Sequence, residues 1–113
     1  MLPTRHRMRT SAQFTTTVRS GARSGRRNVV VSVRLSTGAP SRVGFVVSKA
    51  VGNAVTRNKV KRRLRELSAE TVRERPEGMD LVVRALPPAA TAPWDELARD
   101  YRSAVATAVR RCA

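Results

Sequence analysis

Cations are the residues best placed to do chemistry in this 113-residue chain. From Val51 to Leu67 it reads VGNAVTRNKVKRRLREL. Wound as a helix at about 100° per residue, Val60, Leu64 and Leu67 fall on one narrow stripe that must dock on a core. Arg57, Asn58, Lys61, Arg62 and Arg65 spread over one flank. Lys59 and Arg63 lie beside Glu66 and Glu70, which can partly offset them at i+3, i+4 and longer spacings. At 1.5 Å rise per residue, Arg57 and Arg65 stand about 12 Å apart, so the phosphates of one nucleic-acid strand can meet several of these groups together. A solvated helix face usually mixes its signs, and this flank does not. A helix neutralising four to six phosphates would lose affinity with a log–log salt slope of roughly −3 to −5.

Little else in the chain suits catalysis. The only histidine, His6, lies in a basic, unpatterned start, with no second His or Cys and no paired carboxylates around it. Glu66, Glu70 and Glu74 run down a helix beside cations, which suits ion pairing. Cys112 is the only cysteine, so no intrachain disulfide or thiolate metal cluster can form, which points to a reduced, cytoplasmic setting. No apolar segment follows Met1 as a secretory signal would require. The acid-poor start imitates an organellar transit peptide, but strand-like sequence and the dense basic motif follow inside the same region. No apolar run reaches the ~18 residues of a membrane span.

Charge carries the same message across the chain. Lys and Arg total 23 against 8 acids, a formal +15. Met1 to Arg65 holds 16 cations and no acid; Glu66 to Ala113 holds 7 cations and all 8 acids. The first stretch cannot neutralise itself, and a polyanion partner is the economical remedy. All but three of the cations are Arg (the exceptions are Lys49, Lys59 and Lys61). Guanidinium forks bind phosphate bidentately and stack on bases, although a GC-rich genome would produce the same bias.

The elements that position these residues follow from pattern. Residues 1–10 form a flexible basic lead-in, and residues 11–113 a single domain with one modest core. Ser11 N-caps a short helix carrying Phe14 and Val18 at i, i+4 and ending near Gly21. Asn28–Leu35 and Arg42–Lys49 read as strands joined in a hairpin by a loose loop. Val43, Phe45 and Val47 face one way; Gly44, Val46 and Ser48 face the other. Gly52-Asn53 turns the chain into a helix from Ala54 to about Arg75, stopped by Pro76 and Gly78. Asp80–Leu86 is a third, shorter strand. A last amphipathic helix begins near Thr91 or Pro93, with Asp95 and Glu96 in its first turn. Trp94, Leu97, Ala98, Tyr101, Val105, Ala108, Val109 and Cys112 form its core face. The order α-β-β-α-β-α makes an α+β (α/β) domain, a mixed sheet covered by helices.

Val51-x-x-Ala54-x-x-Arg57-Asn58-Lys59-Val60-Lys61-Arg62-x-Leu64-Arg65 resembles the "RNR" signature of the bacterial ribonuclease P protein family. The resemblance extends over nearly the whole chain, through the Phe14 helix, Arg42-x-Gly44-Phe45-Val46-Val47-Ser48-Lys49 and the strand from Asp80. It implies an RNA-binding subunit that assists a catalytic RNA in removing the 5′ leader from precursor tRNA. The enzyme would then be a ribonucleoprotein endoribonuclease, with no catalytic residue on the protein and Mg²⁺ bound mainly by RNA and substrate. The resemblance further implies a left-handed β-α-β crossover, contrary to the general right-handed rule. It places the catalytic RNA against Arg57, Asn58, Lys59, Lys61, Arg62 and Arg65, with Lys49 close by. It places the leader in a cleft built from Phe14, Val18, Val46 and Ser48. Val18 stands where a second aromatic is common in relatives, and Val29–Val33 offers none, so shape and charge should outweigh stacking, which is worth about 1–3 kcal/mol per base.

The alternative is a ribosomal or general RNA-binding protein, which size and charge fit equally well. An RNA-recognition motif lacks its aromatics here, and Arg42-Val43-Gly44-Phe45-Val46 only faintly echoes its central strand. A DNA-reading helix-turn-helix lacks a partner helix ahead of the basic one, and a membrane-surface helix would need a wider apolar stripe. The expected partners are therefore RNA, neither DNA nor membrane.

Overall fold

The computed structural model describes residues 2–112, so Met1 and Ala113, the outer ends of the two segments expected above, lie outside it. Helix α1 (Ser11–Ser20) leads into strands β1 (Ala22–Gly25), β2 (Val29–Pro40) and β3 (Arg42–Val46). Helix α2 (Ala54–Glu74), strand β4 (Glu77–Ala85) and helix α3 (Trp94–Cys112) follow, with short 3-10 turns at Thr4–His6, Lys49–Val51 and Pro87–Ala90. The single domain is α+β, a four-stranded mixed sheet in the order β1-β2-β4-β3.

The expected hairpin between the second and third strands does not form. β2 pairs antiparallel with β4, and β3 pairs with the other edge of β4 in parallel. Leu81, Val82 and Val83 explain the change: they are buried on both faces of the sheet, at 0%, 3% and 0% exposure. A continuous apolar run belongs in the centre of a sheet, where both faces are covered. The strand read as third and short is a nine-residue inner strand. β1, with the sequence ARSG, was not foreseen. It lacks β-branched residues and is a strand only through its pairing with β2.

Alternation divides the sheet cleanly. Val29, Val31, Val33, Val43, Leu81, Val83 and Ala85 enter the main core under α2 and α3. Val60, Leu64 and Leu67 of α2 join them at 1%, 0% and 1% exposure, as the stripe predicts. Leu97, Ala98, Tyr101, Ala104 and Ala108 of α3 complete the core. Trp94, expected on this face, is 38% exposed. It is the first residue of α3, ahead of the first turn that reaches the core at Leu97.

The helix ends are built locally. Thr10, one residue before the expected cap, takes the N3 amide of Gln13 on its hydroxyl, and the Gln13 side chain returns to the Thr10 amide. That reciprocal capping box favours Thr10 over Ser11. Asn53 caps α2 by accepting from the Thr56 amide at 2.9 Å.

The start of the chain does not run free as expected. Leu2 and His6 are 3% and 5% exposed. The Met8 amide donates to the Val43 carbonyl at 3.0 Å, adding a parallel bridge to the outer edge of β3. His6 Nδ1 lies 2.6 Å from the Ser41 carbonyl oxygen. The Ser41 hydroxyl in turn donates to the Arg75 carbonyl and accepts from the Met79 amide. One serine thus ties the N-terminal segment to the end of α2 and the start of β4. The His6 position, read from sequence as part of a loose tail, is a buried structural one.

Candidate RNA-binding face and cleft

Two concave surfaces meet at Phe14. The first is a cleft of about 340 Å³ between α1 and the sheet face opposite the main core. Strand register builds its floor. Arg23 is paired with Ser32, Ser32 with Val82, and Val82 with Gly44. The next rung runs from Gly25 through Val30 and Arg84 to Val46. Side chains of paired residues share a face, so these rungs set Arg23 and Arg84 beside Val30, Val46 and Val82. α1 closes the cleft with Phe14, Thr15, Val18 and Arg19. The lining therefore holds three guanidiniums and no acid.

One rung further along, Asp80 faces Arg42 on β3 and Arg34 on β2. Arg42 donates from Nε and Nη2 to the two carboxylate oxygens at 3.1 and 3.0 Å, and Arg34 approaches to 3.8 Å. Hydrogen bonding to Asp80 raises the pKa of Arg42 against the lowering effect of its burial. Asp80 is thus fully engaged. It leaves the positive charge of Arg19, Arg23 and Arg84 uncompensated.

The second surface is a groove of about 710 Å³ between residues 2–8, the β3 edge and α2. Lys61, Arg62 and Arg65 line its α2 wall, with Glu66, and Arg7 stands opposite. Among the described residues, no α2 cation lies within 4.0 Å of a carboxylate. Neither Lys59 nor Arg63 forms an ion pair with Glu66 or Glu70 within 4.0 Å. Arg63 donates to the Ala92 carbonyl at 2.9 Å, and Glu70 pairs with Arg102 at 3.0 Å. Glu96 and Asp100 are spent on Asn28, whose side-chain amide donates to both. Arg57 is half-buried, and its Nε is buried with no partner.

The expected RNA-binding residues thus divide. Lys61, Arg62 and Arg65 share the groove. Arg57, Asn58 and Lys59 continue along α2 toward its N-terminus, and exposed Lys49 sits in the turn just ahead of that helix. Of the expected cleft residues, Phe14, Val18 and Val46 line the cleft, whereas Ser48 does not. Strand β3 ends at Val46, so alternation no longer governs Ser48, which precedes the 3-10 turn. Arg7, Arg19, Arg23 and Arg84 were missed. Arg19 follows Thr15 at i+4 and Arg84 follows Val82 at i+2, so both were open to a periodicity argument. Arg23 required the β1–β2 register.

A family model described as Ribonuclease P matches residues 2–109. The chain belongs to the ribonuclease P protein family. It is 97% identical to the ribonuclease P protein component of Kocuria rhizophila over 113 residues, covering 100% of both chains. It is 58% identical to that of Pseudarthrobacter chlorophenolicus, covering 100% of this chain and 84% of the relative. The fold matches the Staphylococcus aureus RNase P protein with a TM-score of 0.80 at 28% identity, over 91% of this chain and 94% of that one. The Thermotoga maritima RNase P protein matches with a TM-score of 0.74 at 26% identity, over 88% and 94%. The spaced motif of α2 therefore pointed to the right family.

Proposed function

We propose that this chain is the RNA-binding subunit of a ribonucleoprotein endoribonuclease that removes the 5′ leader of precursor tRNA. Family membership supplies the enzyme. The observation that carries the division of labour is the pair of cation-lined surfaces on either side of Phe14. The face of α2, with Arg57, Asn58, Lys59, Lys61, Arg62 and Arg65, and Lys49 ahead of it, lies along the catalytic RNA. The cleft between α1 and the sheet takes the single-stranded leader. Both surfaces offer guanidinium or ammonium groups to phosphates, the chemistry that dominates nucleic-acid affinity.

The cleft offers the leader one aromatic, Phe14, over a floor of valines rimmed by Arg19, Arg23 and Arg84. Hydrogen bonds from three guanidiniums to phosphates are indifferent to sequence, so the leader is held by its backbone more than by its bases. The same cations lower the repulsion between leader and catalytic RNA.

The divalent cation of this chemistry, Mg²⁺, is assigned mainly to the RNA and the leader phosphates, whose oxygens are the hard donors it prefers. Asp80, one rung from the cleft, is held by two arginines. Such a particle works in the cytoplasm on RNA partners, with neither DNA nor membrane. Among the described residues, no helix is long and apolar enough to cross a membrane.

The test is cleavage of a precursor tRNA by a bacterial RNase P RNA at low Mg²⁺, with and without this chain, beside a protein-only control. Cleavage requiring both components is expected. Tight RNA binding without stimulation of a cognate RNA would instead indicate a ribosomal or general RNA-binding role. Cleavage by protein alone would place catalytic residues on the chain.

A further inference from the structure

The groove between residues 2–8 and α2 has more structure than phosphate binding needs. Its floor is apolar. On the cleft face of β3, Gly44 lets Phe14 and Met8 close over the strand, since a Cβ there would sit 2.4 Å from the Phe14 ring and 3.0 Å from the Met8 sulfur. On the opposite face, toward α2, the floor is Phe45, packed against the main core. An aromatic surface of this kind suits a flat π system. The volume of about 710 Å³ falls in the ~300–1,000 Å³ range of pockets that hold small organic ligands.

The rim is not uniformly cationic. Arg7 is braced by donating from Nε to the Leu2 carbonyl at 2.9 Å, and Lys61, Arg62 and Arg65 face it. Among them stands Glu66, exposed and, although one turn from Arg62, outside ion-pair distance of any described cation. A carboxylate in a site meant only for phosphate would weaken it. It accepts a hydrogen bond readily from the amino group of a base.

We propose that this groove takes one unpaired nucleotide of the RNA subunit lying along α2, its base on Phe45 and its phosphates on Arg7, Arg62 and Arg65. The base carries an amino group (adenine, cytosine or guanine) that donates to Glu66. This inference rests on the assignment of α2 to the RNA. The leader is not the occupant, because it fills the cleft on the opposite side of Phe14.

Two experiments test it. In the first, each ribonucleoside 5′-monophosphate, and ribose 5-phosphate as a base-free control, is titrated into the chain and followed by amide NMR. The amino-bearing nucleotides should shift Phe45, Arg62 and Glu66. UMP should bind roughly threefold to tenfold more weakly, the worth of one hydrogen bond. Glu66→Ala, a change at an exposed helix position, should erase that preference. Equal binding of UMP, or identical shifts from ribose 5-phosphate, would sink the proposal.

In the second, the bases of the RNase P RNA are chemically probed in the complex without precursor tRNA. At least one unpaired base should be protected by the wild-type chain and exposed again by Glu66→Ala and by Arg7→Glu. Unchanged base reactivity, in a complex that charge reversal on α2 still abolishes, would overturn the groove alone. Association that survives charge reversal on α2 would overturn the RNA face and the groove together.

Discussion

Gly44 and Tyr101 show how much single positions decide here. Gly44 is buried under Phe14, and Phe14 walls both the cleft and the groove. Gly44→Ala forces the ring and the Met8 thioether away from the sheet, an overpacking cost of about 1–3 kcal/mol. A lower urea midpoint is expected, together with a loss of affinity that is larger for leader-bearing than for mature tRNA; equal losses on the two RNAs would separate Phe14 from the leader. Tyr101 is 2% exposed, and its hydroxyl lies 2.6 Å from Thr71 Oγ1 and 3.3 Å from Ser68 Oγ. Burial pushes the phenol's pKa up, against the lowering effect of those two hydrogen bonds, with Glu70 and Glu74 adding to the rise. The folded chain therefore binds the phenolic proton more tightly than the unfolded one. That stability is fully present below about pH 10, the unfolded value, and is lost as pH rises through the higher folded value. Tyr101→Phe should cost about 1 kcal/mol at neutral pH and flatten the decline above pH 10. Urea midpoints of both proteins at pH 8 and above pH 10 give the comparison.

At the scale of elements, α2 separates its duties by face. Val60, Leu64 and Leu67 are buried, whereas Asn58, Lys59, Arg62 and Arg65 are exposed. Replacing Arg57, Lys61 and Arg65 together by Glu should abolish RNA association while the far-UV circular dichroism stays that of the folded chain, because the buried stripe is untouched. A collapse of helicity would show that the cationic flank holds the fold. For milder changes to Gln, each lost phosphate contact should make the log–log salt slope less negative by about 1.

Over the whole molecule, a net charge of +15 sits on a particle of 12.9 Å radius of gyration. The Debye length is about 10 Å at 0.1 M salt, so at lower salt cations across much of the molecule repel one another. Salt should then act in opposite directions on the two functions of this charge. Between 50 and 200 mM monovalent salt, RNA affinity should fall steeply, while the melting temperature of the free chain should rise as self-repulsion is screened. Filter binding and thermal melts on the same samples would show both. A melting temperature that falls with salt would mean that attractive pairs, such as Asp80 with Arg42 and Arg34, outweigh the repulsion.

The sequence alone determined what depends on local order. Helical periodicity separated the stripe of Val60, Leu64 and Leu67 from the cations of α2, and the acid-free composition of residues 1–65 pointed to a polyanion partner. Alternation in β3 correctly turned Val43 and Phe45 one way and Gly44 and Val46 the other. The tertiary structure decided what depends on which strand lies beside which. Strand pairing is made by backbone groups that every residue carries, so nothing local in Asn28–Leu35 or Arg42–Lys49 reveals that β4 lies between them. Register brought Arg23 and Arg84 into the cleft and recruited β1. Docking of residues 2–8 on the β3 edge buried His6 and brought Arg7 opposite α2. These are long-range contacts, and the sequence carries their residues without carrying their proximity.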